Sequence, residues 1–408
     1  MKLQEISGGV CAAQGFQAAG IHCGVKASSS PDKNDLALIL SEKECTAAGV
    51  YTLNRVKAAP IYVTMDHLEN GVVWGIVANS GNANACCPLS HENALAMCQA
   101  AADATGREAG DFAVASTGVI GQTINISAIQ AGMPKVAAAL SKDGSDAAAK
   151  AIMTTDTAKK EIAVSFNLGG KEVKIGAIAK GSGMIHPNMG TMLAFITTDC
   201  AITQEMLSDA LHEVVSKTFN RVTVDGDTST NDTCLLLANG MAGNPLVEWK
   251  DEDYETFKAA LDHVCRYLAR AIAGDGEGAT RLVTCKVTGA RSEESAERLS
   301  KAVVGSALVK AAMFGADANW GRVLCAMGYS KAPFRPEHVD VSFCSKAGEI
   351  LVCKQGDGLD FDEEKAKEIL SQEEVIIAVD LHEGDESAEC WGCDLTYDYV
   401  KINGDYRT

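Results

Sequence analysis

The amino-acid sequence predicts a layered α/β fold. Short apolar runs of strand length alternate along the chain with longer stretches of helical periodicity, and two of the strands follow each other closely enough to form a hairpin. Hydrophobic residues make up 47% of the 408 residues but aromatic residues only 5%, while 38 glycines and many alanines favour close packing of helices on sheets. This length suffices for two or three domain-sized units or for one large sandwich.

The N-terminal half contains apolar runs bounded by Gly, Asn or Ser, which are typical of strands, and Ala-rich stretches with helical spacing. The pair Gly169 and Gly170 lies between two such runs and predicts a hairpin turn. The predicted strands are 36–40, 72–78, 112–116, 162–166 and 173–179, and the predicted helices are 91–105, 126–140 and 146–153.

The C-terminal half continues the alternation. Thr203 is well placed as the N-cap of an amphipathic helix, and a second long helix ends at Gly274. The predicted strands are 192–196, 234–238, 282–287 and short runs from 339 onward, and the predicted helices are 204–219, 253–273, 292–314 and 362–370.

The formal net charge of −18 argues against nucleic acid and anionic membranes as partners. The first ten residues lack the apolar core of a signal peptide, and no apolar run approaches the length of a membrane span. The fifteen cysteines are therefore expected to be reduced thiols of a cytoplasmic protein. Cys390 and Cys393 form a CxxC without a second ligand pair, which favours a structural role over a zinc site.

A glycine-rich loop enters an apolar strand at Thr191. Residues 180–190, KGSGMIHPNMG, contain three glycines, a proline and an asparagine, and these residue types favour loops. The run 192–196, MLAFI, then has the composition of a buried strand. The hydroxyl of Thr191 thus follows Gly190, which has no side chain to shield its carbonyl carbon. From the pattern alone, an ordinary junction between a loop and a strand is the simpler interpretation.

The segment 180–199 resembles the self-cleavage site of the ornithine acetyltransferase family, the glutamate N-acetyltransferases of arginine biosynthesis. Three other segments match the same family, namely NSGNAN at 79–84, TVDGDTSTND at 223–232 and GADANWGR at 315–322. The resemblance therefore covers nearly the whole chain. It implies a layered α/β sandwich of the self-cleaving, N-terminal-nucleophile-like type, with a smaller C-terminal α/β portion.

The resemblance also implies that the protein cuts its own chain between Gly190 and Thr191. The products would be an alpha chain, 1–190, and a beta chain, 191–408, which form one interleaved core and assemble as a heterotetramer with two copies of each. Thr191 would then be the nucleophile, and its new α-amino group, with a reference pKa of about 7.7–8.0, would be the base. Before cleavage this amine is part of a peptide bond and cannot serve as a base.

The oxyanion hole of the family matches Thr117 and Gly118, where the predicted strand 112–116 ends in a glycine turn. Lys180 is expected to pair with a substrate carboxylate, and Glu277 with the side-chain amine of ornithine. The implied substrate contacts are Thr154, Lys180, Thr191, Glu277, Asn403 and Thr408. The pattern also allows structural interpretations, namely a solvated surface lysine at 180, a helix C-cap at 274–278 and a frayed tail at 403–408.

The implied reaction moves an acetyl group from N-acetylornithine to glutamate through an acetyl-threonine ester, without a metal or an organic cofactor. Some members also use acetyl-CoA as the donor, and the sequence leaves this open. The nearest alternative is an aminopeptidase or amidase on the same scaffold, and a more distant one is a non-catalytic binding protein. The loop that starts at Asp225 has Thr230 where a calcium loop needs glycine at position six, and it has no glutamate at position twelve, so it does not indicate a calcium site. The segment GDGEG at 274–278 follows a helix rather than a strand, so it does not indicate a dinucleotide site.

Overall fold

The computed structural model describes residues 2–26, 30–186 and 192–405. Strands and helices alternate through both halves. The strands are β1 (Gln4–Ile6), β2 (Phe16–Ile21), β3 (Leu36–Tyr51), β4 (Val72–Asn79), β5 (Phe112–Ser116), β6 (Lys160–Leu168), β7 (Lys171–Lys180), β8 (Leu193–Thr198), β9 (Thr233–Ala238), β10 (Leu282–Ala290), β11 (Asp340–Ser345), β12 (Gly348–Lys354), β13 (Asp357–Gly358), β14 (Glu374–Asp380) and β15 (Glu386–Cys393). The helices are α1 (Ala59–His67), α2 (Ser90–Thr105), α3 (Ile126–Ala138), α4 (Ser145–Ala151), α5 (Gln204–Lys217), α6 (Glu252–Gly274), α7 (Glu293–Gly305), α8 (Ala307–Phe314), α9 (Trp320–Gly328), α10 (Glu363–Leu370) and α11 (Tyr397–Asp405).

The larger sheet has nine strands in the order β1-β6-β7-β8-β9-β3-β4-β5, with β2 also paired to β3. The sixteen-residue strand β3 divides it, because its first part pairs with β2 and β4 and its last part with β9. The register of the β3–β4 pair shifts between Leu40 and Cys45, where the polar run 41–44 interrupts the apolar pattern. The two parts of the sheet therefore face each other across β3.

Alternating side chains of these strands form three apolar layers. Phe195 and Leu235 point into the layer between the two parts of the sheet, together with Ile39 from the opposite part. The other face of β7–β9 packs on α5 and α6, and the other face of β2–β5 packs on α2 and α3. The result is a four-layer arrangement of helices, sheet, sheet and helices.

The smaller sheet lies in the C-terminal part, in the order β13-β12-β11-β14-β10-β15, and packs against α7, α9 and α10 around a core of its own. Trp391 and Cys393 of β15 belong instead to the core of the larger sheet, so β15 joins the two. The predicted layered α/β sandwich with a smaller C-terminal α/β portion is confirmed.

Most predicted elements are present, including the hairpin of β6 and β7 and the Thr203 N-cap, whose hydroxyl accepts a hydrogen bond from the Met206 N–H at 3.4 Å. Two predictions are wrong in extent. The strand predicted at 36–40 continues through the polar run to Tyr51, since pairing with β9 supports it. The helix predicted at 292–314 is two helices, because Ser306 adopts an extended backbone and caps α8.

Candidate active site

One cleft brings together six of the residues that the sequence predicted to act in the reaction. Its lining includes the turn after β5, the end of β7, the loop before β9, the turn after α6 and the C-terminal helix α11. The six predicted residues in its wall are Thr117, Gly118, Thr154, Lys180, Glu277 and Asn403. These six residues come from five separate segments of the sequence and converge on one site. Their chemical roles stay predictions.

The predicted cleavage site, Gly190 and Thr191, and the predicted contact Thr408 lie outside the described residues. The chain on either side of the cleavage site is fixed, because Lys180 of β7 pairs in register with Leu193 of β8. The two ends of segment 181–192 therefore lie at neighbouring positions of the sheet. Met192 has a φ of 143°, a conformation that residues with side chains rarely adopt and that costs about 1–3 kcal/mol.

The turn after β5 fits the prediction of an oxyanion hole. Gly118 has a φ of 132°, and a Cβ at this position would lie 2.4 Å from the carbonyl carbon of Gly81. Only glycine therefore fits between the turn and the backbone of 81–82. The N–H of Thr117 donates to the Asn79 carbonyl at 3.0 Å, and that of Val119 to the Gly81 carbonyl at 3.5 Å. Among the described residues the N–H of Gly118 has no such acceptor, so it is available to a ligand in the cleft.

Asn231 holds this turn from the loop before β9. Its side-chain amide donates to the carbonyls of Ser116 at 2.8 Å and of Ala83 at 2.6 Å, and its oxygen accepts a hydrogen bond from the Thr230 hydroxyl at 2.6 Å. The Ser116 carbonyl belongs to the peptide bond that precedes Thr117. Asn231 therefore positions the backbone of the predicted oxyanion hole without being among the predicted site residues.

A buried ion network fixes three loops around the cleft. Lys160 lies between Asp156 at 2.7 Å and Asp275 at 2.5 Å, and Asp156 also accepts hydrogen bonds from the N–H groups of Gly181 at 2.7 Å and Thr154 at 3.1 Å. Burial is the largest effect on Asp156 and raises its pKa, but Lys180 and Lys160 together outweigh it and hold the pKa at about 2. Asp156 is therefore ionised at neutral pH and connects the loops at 154, 181 and 275.

Lys180 has a different environment, although its side chain is also buried. Burial lowers the pKa of its ammonium group, while the charges of Asp156, Asp232 and Glu277 raise it. Nearby Lys160 lowers it further. Its charge faces the cleft, where a bound carboxylate would replace the water lost on burial. The structural interpretation of Lys180 as a solvated surface lysine is wrong.

Glu277 also lines the cleft. Its backbone N–H donates to the Ser182 carbonyl at 3.1 Å, and its carboxylate accepts a hydrogen bond from the Asn403 side chain at 2.7 Å. A Cβ on Gly183 would lie 2.3 Å from the carboxyl carbon of Glu277, so the absence of a side chain there makes room for the carboxylate. For residues 403–405 the interpretation as a frayed tail is wrong, because they belong to helix α11, which brings Asn403 to the cleft.

Asp232 directly precedes β9, and its buried carboxyl group was not among the predicted site residues. It is 2% exposed, and its Oδ2 atom has no hydrogen-bond partner among the described residues. Burial raises the pKa of this carboxyl well above its usual value, and the Ser229 hydroxyl, the Lys180 charge and the Met192 N–H each lower it in part. The run of polar residues 228–232 directly before an apolar strand was the signal in the sequence for both Asn231 and Asp232.

All fifteen cysteines carry free thiols. Burial raises the pKa of Cys390 to about 12, so this member of the CxxC is a poor nucleophile and a poor metal ligand. Within 2–26, 30–186 and 192–405 no group of His, Cys, Asp and Glu side chains is arranged to hold a metal ion. No helix in the same ranges has both the length and the apolar character needed to cross a membrane.

The four-layer fold and its cleft define an enzyme whose site combines a free backbone donor, hydroxyls and charges of both signs, a set suited to acyl transfer. The model of the ArgJ family matches residues 17–408. The arginine biosynthesis bifunctional protein ArgJ 1 of Clostridium acetobutylicum is 50% identical over 394 residues, which are 96% of each chain. The arginine biosynthesis bifunctional protein ArgJ of Symbiobacterium thermophilum is 50% identical over 407 residues and is matched over 100% of both chains.

Among solved structures, the arginine biosynthesis bifunctional protein ArgJ from Bacillus halodurans is similar to this chain, with 46% sequence identity and a TM-score of 0.51. The match covers 100% of that chain and 53% of this one. The chain belongs to the ArgJ family, and the family predicted from its sequence is confirmed.

Proposed function

We propose that this protein is a glutamate N-acetyltransferase of arginine biosynthesis, which moves the acetyl group of N-acetylornithine to glutamate. The observation that carries the proposal is the convergence of Thr117, Gly118, Thr154, Lys180, Glu277 and Asn403 on one cleft, in a chain of the ArgJ family. The full-length relatives at 50% identity are arginine biosynthesis proteins, which does not favour the alternative of an aminopeptidase or amidase.

The first step is self-cleavage between Gly190 and Thr191, which gives an alpha chain of 1–190 and a beta chain of 191–408. The fixed ends of segment 181–192 support it, because β7 and β8 stay paired in the sheet after the bond between them is cut. The solved chain from Bacillus halodurans also supports it, since it is matched in full by 53% of this chain. Residues 191–408, 218 of the 408, are about the same fraction.

In the acetyl-transfer step, the free amine of Thr191 takes the proton of its own hydroxyl, directly or through water, and the hydroxyl oxygen attacks the acetyl carbon of N-acetylornithine. The Gly118 N–H and the Thr117 hydroxyl stabilise the tetrahedral oxyanion. Ornithine leaves with the proton, and an acetyl ester on Thr191 remains. Glutamate then attacks this ester and leaves as N-acetylglutamate. No step needs a metal or an organic cofactor.

We assign the two ends of the substrate to two charged residues in the walls of the cleft. Lys180 pairs with the α-carboxylate of either amino acid, and Glu277 with the side-chain ammonium group of ornithine. Thr154 and Asn403 add polar contacts at these walls, and Thr408 is proposed as a further contact on the grounds of the family resemblance. The names of these relatives include the word bifunctional, which supports acetyl-CoA as a second donor. We further propose a heterotetramer of two alpha and two beta chains in the cytoplasm.

The experiment follows both steps in purified wild-type protein and in Thr191→Ala. Wild type is expected to yield two chains by intact mass, to transfer acetyl from N-acetylornithine to glutamate, and to carry an acetyl group on Thr191 when glutamate is withheld. Thr191→Ala is expected to stay one chain of 408 residues without activity, because it lacks the attacking oxygen. Parallel assays with acetyl-CoA as the donor decide whether both activities are present.

Thr203→Ala is the matched control, since it removes a threonine hydroxyl at the N-cap of α5. It is expected to cost about 1 kcal/mol of stability while cleavage and transfer continue. Normal processing and turnover in Thr191→Ala would overturn the assignment, and hydrolysis of N-acetylornithine without transfer to glutamate would favour the amidase alternative.

A further inference from the structure

Among the described residues that line the cleft, two have a large apolar side chain. They are Ile120, two residues after Gly118, and Met184, in the segment that follows β7. Ile120 is half-buried and packs against a small cluster of alanines, whereas the side chain of Met184 is 37% exposed. Contact with an apolar part of a ligand would remove this exposed surface from water, which is favourable. Met184 is therefore a candidate contact that the proposed function has not used.

The backbone at Met184 is held by a carboxylate from the loop before β9. Asp225 accepts hydrogen bonds from the N–H of Met184 at 2.7 Å and from the N–H of Ile185 at 2.9 Å. The N–H of Val224 donates to the Ile185 carbonyl at 2.7 Å, so three hydrogen bonds join 184–185 to 224–225. Met184 has a φ of 55°, in the left-handed region that residues with a side chain adopt uncommonly. These bonds fix that conformation and with it the direction of the Cα–Cβ bond of Met184.

Met184 directly follows the residue that makes room for Glu277. A Cβ on Gly183 would lie 2.3 Å from the carboxyl carbon of Glu277, so the backbone of Gly183 lies against that carboxylate. Consecutive α-carbons are about 3.8 Å apart across a trans peptide, which places the backbone of Met184 close to Glu277 as well. Met184 therefore contributes an apolar side chain to the cleft close to the carboxylate that is proposed to bind the ammonium group of ornithine.

We propose that Met184 contacts the methylene chain of ornithine and limits the length of the chain that the cleft accepts. This inference rests on the proposed function, in which Lys180 binds the carboxylate of the substrate and Glu277 its side-chain ammonium group. The methylene groups between these two ends need apolar contacts in the cleft. Lysine has one methylene more than ornithine, so its ammonium group reaches Glu277 only if the cleft has room for the extra methylene. The long, unbranched side chain of Met184 fills that room.

The two charged residues do not select the chain length by themselves. The attraction between two charges changes slowly with distance, and an ammonium group has three equivalent donors, so Glu277 alone discriminates weakly between ornithine and lysine. A packed apolar contact discriminates more strongly, because one methylene too many in an apolar site lowers kcat/KM by about 10–200-fold. Selection against the longer chain therefore needs an apolar side chain in a fixed position, and the hydrogen bonds to Asp225 give Met184 such a position.

The test compares N-acetylornithine with Nα-acetyllysine as acetyl donors to glutamate in the purified full-length protein, and the readout is the ratio of their kcat/KM values. Wild type is expected to prefer N-acetylornithine. Met184→Ala is expected to lower this preference by about 10-fold or more, because the longer chain gains room. Met184→Leu keeps a large apolar side chain and is expected to keep the preference. Met65→Ala is the matched control, because Met65 of α1 is also an exposed methionine, at 45%, but does not line the cleft.

An unchanged preference in Met184→Ala would overturn the inference, even if the activity with both donors falls, because Met184 would then have a structural role alone. An equal loss of preference in Met65→Ala would also overturn it, as would a wild type that uses both donors equally well. If Met184→Ala does not fold, Met184→Gly replaces it, since a φ of 55° suits glycine, and the same outcomes apply. Failure of the wild type to use N-acetylornithine would instead contradict the proposed function itself.

Discussion

Lys160 and Lys180 are neighbours in the same hairpin, yet their surroundings differ. Lys160 pairs in register with Ala179, one residue before Lys180, and both lysines are buried. The ammonium group of Lys160 contacts two carboxylates, Asp156 and Asp275. That of Lys180 faces the cleft, and the carboxylates of the described residues act on it by their charge without forming an ion pair. Lys160, Asp156 and Asp275 form a framework in which the charges pair with each other. In the site, by contrast, the charge of Lys180 is available to pair with a substrate.

The largest expected effect is the difference in stability between variants that lack one or the other of these two lysines. Lys160→Met leaves Asp156 and Asp275 buried without their cation, and we expect the free energy of unfolding to fall by about 3–5 kcal/mol. Lys180→Met removes a desolvated charge that no carboxylate of the described residues contacts, so we expect a much smaller loss of stability together with loss of acetyl transfer. Unfolding in urea measures the loss of stability, and the assay of acetyl transfer from N-acetylornithine to glutamate measures the loss of activity. Equal destabilisation by both substitutions would contradict the distinction.

The sequence predicted residues that line the cleft, whose roles stay predictions, but it predicted none of the residues of the framework. Gly118, Lys180 and Glu277 were found because they match a family pattern, which is local in the sequence. Lys160 bridges Asp156 and Asp275. Because Asp275 is more than a hundred residues away in the sequence, only the folded chain brings the three together. Asn231 and Asp232 were missed for a similar reason, since a polar run before a strand does not show which side chains become buried. The division of the 292–314 helix at Ser306 depends on tertiary packing that periodicity does not report.

The next largest effect tests whether the turn at Gly118 is the oxyanion hole of the site. Gly118→Ala places a methyl group against the backbone of Gly81 and forces the turn to move, so kcat is expected to fall by about 10²–10³-fold. Gly121→Ala is the control, because Gly121 also has a positive φ, of 79°, but has no atom within 4 Å of an added Cβ. It is expected to lose about 1 kcal/mol of stability while kcat is retained. Equal loss of kcat in both variants would show that general strain, and not the donor position, is responsible.

The smallest effect is the pH dependence of the stability that Asp156 contributes to the framework. The folded pKa of Asp156, about 2, is below its ordinary value of 3.8, so its contribution to stability is fully present above the ordinary value and is lost as pH falls toward 2. A shift of this size corresponds to about 2 kcal/mol. The difference in unfolding free energy between wild type and Asp156→Asn is therefore expected to be constant near neutral pH and to shrink below about pH 4. A difference that does not change between pH 6 and pH 3 would contradict the ionised network around Lys160.

The most direct test of the account is amino-terminal sequencing of active, purified protein. Two sequences are expected in equal amounts, one that starts at the N-terminus of the chain and one that reads Thr-Met-Leu-Ala-Phe from Thr191. A preparation that transfers acetyl groups but yields the first sequence alone would contradict the account, because the amine proposed as the catalytic base would not exist.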